Sequence, residues 1–388
     1  WKADYKTTEY PVFLEWDRSD DVKNTPLFVN LKGVAADGVA RLRIALPKQS
    51  NGNVISEAEV TLSDDKGNNT PSVLGSVAPC EKTPRGYEDA AVVNKVLPVT
   101  RATTSDLNED GHFRFWYVAP EDFSRGPQDN DAGKRIVYAK LKLRFINGNT
   151  ETVRLKIEIV RPPLMLVHGL NGDADTWKNF ALKESSGEVL YAKDERFIVT
   201  KAPNMDPRSH FAINANSLMG ESTNDKSILS VIHQMRQAGY ACNQVDYICH
   251  SMGGCMLRYA EEVNKGNFFY RSDNYQKGFV HKFITLHTPH NGSSFANLLC
   301  DQTFNADFVT TAKDIVVISI VASSYIPGGP VVSIITWSIM SYMVDMFYDK
   351  DNQFYPHPAI WDLRYKDGIK FHETPLRSHL IAGGVDCS

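Results

Sequence analysis

The chain has 388 residues, of which 42% are hydrophobic and 23% charged, with a formal net charge of −4. That length exceeds one ordinary small domain, so two domains are expected, and the composition is that of a globular chain rather than a disordered or fibrous one. The slightly acidic balance gives no electrostatic footing for nucleic acid.

Six cysteines contain no Cys-x-x-Cys pair, which leaves a zinc or thioredoxin-like site without support. Cys249 and Cys255 read as buried thiols, and pairing among the other cysteines stays open. The chain opens on Trp1 with no basic and then apolar leader behind it, as a mature product or a fragment would.

Residues 1–160 read as β throughout. Runs rich in β-branched and aromatic residues recur at Pro11–Trp16, Leu27–Leu31, Ala40–Leu46, Ala58–Leu62, Ala91–Val99, His112–Val118, Arg135–Phe145 and Thr152–Val160. Two of them, Arg41–Leu46 and Val153–Ile159, alternate polar with apolar, as half-buried strands do. Turn clusters separate the runs at Asn51-Gly52, Asp65–Asn69, Glu109–Gly111 and Asn147–Asn149. Spaced short strands with such turns predict a β-sandwich. The acidic turn Asp106, Asn108, Glu109, Asp110 lacks clear calcium-ligand spacing and reads as solvated.

Arg161-Pro162-Pro163 marks a stiff boundary, because two prolines cannot continue a sheet interior. From there the pattern changes. Leu164–Val167 is a continuous apolar run, as in a parallel strand covered on both faces. Phe197–Thr200 is a second strand candidate. Ile228, Leu229, Ile232 and Met235 fall at helical spacing before Gly239. Val245–Cys249 is a strand, Met256, Leu257, Ala260 and Val263 give the next helix, and Val280–Leu286 and Leu380–Ala382 are further strands. Strands alternating with helices over 161–388 predict an α/β fold with a mostly parallel sheet.

Three turns carry chemistry. The first is Cys249-His-Ser-Met-Gly253, where a strand meets a helix-compatible run. A serine on such a turn has strained backbone, and its Oγ stands clear of both elements. The helix behind it begins with unpaired N–H groups. Strand and helix nearly touch two positions either side of the serine, so both residues must be small; Gly253 satisfies this, and Cys249 departs from the usual glycine. Ser251 is the candidate nucleophile. The second turn, His168-Gly-Leu-Asn-Gly172, follows the first apolar strand. A glycine there lets a backbone N–H aim into a pocket, which makes Leu170 and Met252 candidate donors to an oxyanion. The third, Thr288-Pro-His-Asn-Gly292, suits His290 to shaping a pocket or to a structural hydrogen bond better than to acting as a base. His250, beside the serine, reads as a packing or hydrogen-bonded residue.

Taken together, Pro162–Leu170, Phe211–Ser217, Val245–Gly254 and Thr288–Ser293 resemble the α/β-hydrolase lipases and esterases of bacterial type. The resemblance covers residues 161–388 and implies Ser251 as nucleophile with Leu170 and Met252 as oxyanion donors. It implies hydrolysis of carboxylic esters, no metal and no redox or organic cofactor, and a secreted or cell-surface setting in a bacterium. More loosely, His112–Glu121 resembles the immunoglobulin-like modules that precede such hydrolases, which gives residues 1–160 an immunoglobulin-like β-sandwich. A serine triad in this fold runs Ser, then Asp or Glu, then His. Asp386 matches the acid's place weakly, and no histidine follows it, so the catalytic His is expected beyond residue 388 and the hydrolase part to be C-terminally incomplete.

Between Val280–Leu286 and Leu380 lies an apolar insertion at about 312–348. No charged residue occurs from Ile315 to Val344, and Pro327-Gly-Gly-Pro330 divides the stretch. Each half is too short to cross a bilayer of ~30 Å, so a helical hairpin is expected. It reads equally as a buried helix pair or as a lid that meets a lipid surface. The expected substrate is a lipid-like or other apolar acyl ester; a thioesterase or amidase of the same fold, or a surface-binding protein with a degenerate hydrolase domain, are the alternatives. Oligomeric state is not legible.

Overall fold

The computed structural model of the chain describes residues 2–7, 10–16, 31–50, 52–80, 82–83, 86–87, 99–105, 107, 111–123, 134–177, 200–201, 206, 208–220, 226–264, 269–270, 274–301 and 356–364, with 368–369, 371, 376 and 378–381. Of the predicted features, residues 27–30, 91–98, 197–199 and 382, most of the acidic turn at 106–110, the apolar insertion and Asp386 lie outside that set.

The alternation read in the first part of the chain produces long strands. In order these are β1 (Lys2–Thr7), β2 (Tyr10–Trp16), β3 (Gly33–Ala35), β4 (Arg41–Pro47), β5 (Gln49–Ser50), β6 (Asn53–Ser63), β7 (Ser76–Pro79), β8 (Lys82–Thr83), β9 (Gly86–Tyr87), β10 (Arg101–Thr104), β11 (His112–Val118), β12 (Lys134–Phe145) and β13 (Thr150–Val160). One turn of helix, α1 (Pro71–Leu74), precedes β7. One sheet has the order β1-β2-β4-β11-β7 and a second runs β10-β6-β12-β13-β3. Neighbours are antiparallel except at β13 and β3, which are parallel. The inward-facing residues of the two sheets share one core: Leu42, Ile44, Phe113 and Phe115 from the first, Val60, Leu141, Leu155 and Ile157 from the second. Tyr117 is fully buried there and its hydroxyl donates to the Leu74 carbonyl (2.8 Å), which removes the cost of burying a phenol.

The second part holds β14 (Leu164–Val167), β15 (Thr200–Lys201), β16 (Tyr240–Ala241), β17 (Val245–His250), β18 (Val280–Leu286) and β19 (Ser378–Ile381). Helices α2 (Phe211–Met219), α3 (Ile228–Gln237), α4 (Met252–Asn264), α5 (Ser294–Cys300) and α6 (Pro358–Asp362) run between and after them. The sheet order is β15-β14-β17-β18-β19, with every neighbouring pair parallel. Alternate residues serve opposite faces. Met165, Val167, Tyr247, Cys249 and Phe283 pack with Phe211, Leu218, Ile232, Met256 and Leu257 of the helices. Leu164, Leu166 and Ile248 pack with Trp177 on the other side. Both faces are covered, which is why β14 reads as an unbroken apolar run. In α3, Ser227 caps the start by accepting from the Ser230 N–H, and Ile228, Val231, Ile232 and Met235 form the buried stripe.

The two parts are joined by more than the chain. The short β16 leaves the second part and pairs parallel with β3, extending the antiparallel-rich sheet by one strand. Ala241 thereby enters the core that the two sheets of the first part share, while Ala35 and Val160 belong to the core of the other part. The proline boundary at 161–163 therefore does not separate the sheets: one strand crosses back over it. Asp37 is almost wholly buried at this seam. Its carboxylate accepts from the N–H groups of Val39 (2.9 Å), Ala40 (2.6 Å), Asn243 (3.0 Å) and Gln244 (3.2 Å). His281 donates through one ring nitrogen to Asp246 (2.8 Å) and through the other to the Glu121 carbonyl (2.8 Å).

Candidate active site

Everything at the candidate site hangs on the carboxyl ends of β14, β17 and β18. Ser251 follows β17 and has φ +52°, a left-handed conformation that costs a non-glycine residue and that the surrounding structure must impose. Three contacts impose it. The Ser251 N–H donates to the Leu286 carbonyl of β18 (2.9 Å). The Ser251 carbonyl accepts from the Gly254 N–H (3.2 Å) as α4 begins. The Tyr247 hydroxyl, fully buried, donates to the Gly253 carbonyl (3.0 Å) and ties the strand to the first turn of the helix.

The small residues around the serine are required by close approach. A Cβ on Gly253 would lie 2.6 Å from the His168 carbonyl oxygen, and one on Gly254 would meet the Thr288 side chain at 2.5 Å. Cys249 is buried against β18, with its Sγ 3.5 Å from the Ile284 carbonyl, so a thiol is tolerated where the sequence departs from glycine. Burial pushes the Cys249 thiol well up and that of Cys255 to about 12, which makes both inert fillers rather than nucleophiles. The five described cysteines are buried.

The His168–Gly172 turn lies directly on the serine. A Cβ on Gly169 would come within 2.7 Å of Ser251 Cβ and 3.3 Å of the Met252 nitrogen. The turn closes through the Gly172 N–H to the Gly169 carbonyl (3.1 Å), with Asn171 at φ +54° in its third place, as a type II turn demands. His168 Nδ1 lies 2.9 Å from the same carbonyl and must be the protonated nitrogen, since a carbonyl only accepts. Burial lowers the pKa of His168, so the ring makes this bond as a neutral imidazole. The Gly169 carbonyl and the Leu170 N–H belong to one planar peptide unit and point in opposite directions. Two donors on the carbonyl therefore fix where the Leu170 N–H points. Among the described residues neither the Leu170 nor the Met252 N–H has another acceptor.

His290 is engaged elsewhere. Its Nδ1 lies 3.3 Å from Arg258 Nη1, its Nε2 3.3 Å from Thr285 Oγ1, and its ring stands edge-on to Phe283. Burial, and then the Arg258 charge, lower its pKa. His250 is exposed and stacks edge-on against His287 with ring centroids 6.4 Å apart; burial of part of the ring and then His287 lower its pKa. Among the described residues no imidazole is hydrogen-bonded to Ser251 Oγ, and no group of three or more His, Cys, Asp or Glu could hold a metal ion.

Several neighbours of the site carry little sequence signal. His287 follows the carbonyl that holds the Ser251 N–H and is itself left-handed at φ +53°. Arg208 reaches the Asn171 side chain, and only the tolerance of asparagine for φ above zero hints that position 171 is special.

Residues 164–336, less than half of the chain, match the family described as "Putative serine esterase (DUF676)". That span contains all three turns and supports a hydrolase of the esterase kind. No curated protein matches the sequence. Among solved structures, the periplasmic chaperone SfaE is 10% identical over 39% of this chain and 56% of its own, at TM-score 0.20. The rice cell wall degrading esterase LipA from Xanthomonas oryzae is 12% identical over 43% of this chain and 45% of its own, at TM-score 0.21. The chain thus spans about half the length of these proteins, and likeness at such scores carries no argument here.

Proposed function

We propose that the chain is a serine hydrolase of carboxylic esters, built as an α/β-hydrolase core behind an immunoglobulin-like β-sandwich. The observation that carries the reading is the seating of Gly169 on Ser251 and on the Met252 nitrogen, at a serine raised on a strained turn; in this reading the Leu170 and Met252 N–H groups are the oxyanion donors. The serine-esterase family match over 164–336 agrees with it.

In this reading Ser251 Oγ attacks the ester carbonyl carbon. The carbonyl oxygen takes up the negative charge and accepts from Leu170 and Met252, backed by the N-terminus of the 13-residue α4. The serine proton passes to a histidine outside the described residues and from it to the departing alcohol. Water then cleaves the acyl-serine bond, returning the proton to Oγ. The uncharged stretch Ile315–Val344 favours an apolar acyl chain as substrate and contact with a lipid surface. Ser251→Ala in the full-length protein is expected to abolish p-nitrophenyl ester hydrolysis and labelling by a fluorophosphonate; hydrolysis that survives the substitution sinks the proposal.

A further inference from the structure

The Gly169–Gly172 turn is held from within by His168 and Gly172, but its third residue is held from outside. Arg208 Nε donates to Asn171 Oδ1 at 3.0 Å. Asn171 is the left-handed residue on which a type II turn depends. An asparagine free to rotate out of that conformation would release the turn and with it the 169–170 peptide plane.

Arg208 is itself unusually well anchored. Its N–H donates to Asp206 Oδ1 (3.0 Å), and its carbonyl accepts from the Ala359 N–H of α6 (3.1 Å). Asp206 also accepts from Ser209 Oγ (2.7 Å), and its carbonyl accepts from the buried Asn214 side chain of α2 (2.9 Å). Asp362, at the end of α6, supplies the carboxylate that the start of α2 lacks: Oδ2 accepts from the Phe211 N–H (2.8 Å) and sits 3.2 Å from His210 Nδ1. So two helices fix the backbone of Arg208, and its guanidinium carries that fixity to Asn171.

We infer that Arg208 is a positioning residue for the oxyanion donor Leu170, acting through Asn171; this rests on the serine-hydrolase reading above. It touches neither nucleophile nor substrate. Its effect is to keep the Leu170 N–H where charge develops on the carbonyl oxygen, so it acts on the transition state more than on the bound ester.

The test uses Arg208→Met, which keeps length and apolar stem but loses the donor, in the full chain. With p-nitrophenyl esters, kcat is expected to fall about 10- to 100-fold while KM stays within about 2-fold, because a displaced donor costs less than a deleted one. Affinity for an alkyl boronic acid, which forms a tetrahedral adduct on the serine, should fall by the same factor as kcat. Asn171→Gly keeps the left-handed turn and removes the acceptor, so Arg208→Met in that background should cost nothing more. An unchanged kcat, a loss confined to KM or to thermal stability, or an undiminished loss in the Asn171→Gly background overturns the inference. If the wild-type protein neither hydrolyses esters nor labels with a fluorophosphonate, the hydrolase reading fails by itself. Hydrogen exchange of the Leu170 amide then still decides the brace: faster exchange in Arg208→Met supports it and equal exchange refutes it.

Discussion

The two ends of strand β17 both meet backbone N–H groups from other stretches or the next turn, and they differ in what those groups hold. At its amino end the N–H groups of Val39, Ala40, Asn243 and Gln244 close on the Asp37 carboxylate, a resident anion. At its carboxyl end the Gly169 turn lies against Ser251, and neither the Leu170 nor the Met252 N–H has a protein acceptor among the described residues. The same backbone chemistry thus serves stability where the charge is built in, and in our reading serves catalysis where the charge arises only during reaction. The filled end costs the protein something. Burial raises the pKa of Asp37 in spite of its backbone donors, so keeping it ionised at neutral pH opposes folding. What it returns is a seam of fixed geometry.

That contrast is easiest to break at the filled end. Asp37→Ala orphans four buried N–H groups drawn from both parts of the chain, and a loss of ~4 kcal/mol or more is expected in urea unfolding. A loss below about 1 kcal/mol would mean that water replaces the carboxylate and that the seam is not set by it. Next is Gly169→Ala at the open end. The new Cβ would lie 2.7 Å from Ser251 Cβ, so one of the two must move. A drop in kcat of about 100-fold with little change in melting temperature is expected; a melting temperature that falls in step with activity would show that the turn is structural.

The smallest effect sharpens the comparison through pH. Burial works to lower the pKa of His281, but the hydrogen bond and charge of Asp246, with the charge of Asp37, outweigh it and raise the value above the ordinary one. Asp246, Asp37, Lys282 and Asp122 are charged groups that act on the ring. A raised folded value means that the stabilising contribution is fully present below about pH 6.5 and is lost as pH climbs through the folded value. The stability gap between wild type and His281→Gln is therefore expected to narrow from pH 6 upward. A gap that widens with pH would contradict the assignment of His281 as a protonated bridge.

Much of this was legible because it is local. The β-branched and aromatic runs gave β4, β11, β12 and β13 nearly at their observed bounds but only the second half of β6, and the later runs gave β14, β17 and β18. The elbow and the His168–Gly172 turn announce themselves through glycines whose spacing the close approach at Gly169 and Gly253 explains. What escaped is what joins distant stretches. Tyr240-Ala241 carries no strand pattern of its own, yet it is a strand whose partner β3 stands some two hundred residues earlier. Nothing in the sequence near Asp37 foretells its bonds to 243 and 244. Asp362 stops α2 from starting uncapped, across 151 residues. Periodicity records which face of an element is buried, not what lies against it.

The strand β16 has a bearing on how this architecture is inherited and engineered. A sandwich joined to an enzyme by a linker alone is a cassette, and recombination can move it intact. Here the donor of Ala241 to the sandwich core is the very loop that leads into β17 and Ser251. Cutting at the prolines would strip β3 of its neighbour and expose a raw edge of the kind that recruits other chains. The front part is thus not portable: any graft of it onto another chain must carry residues 239–244 along, which ties its evolution to that of β17.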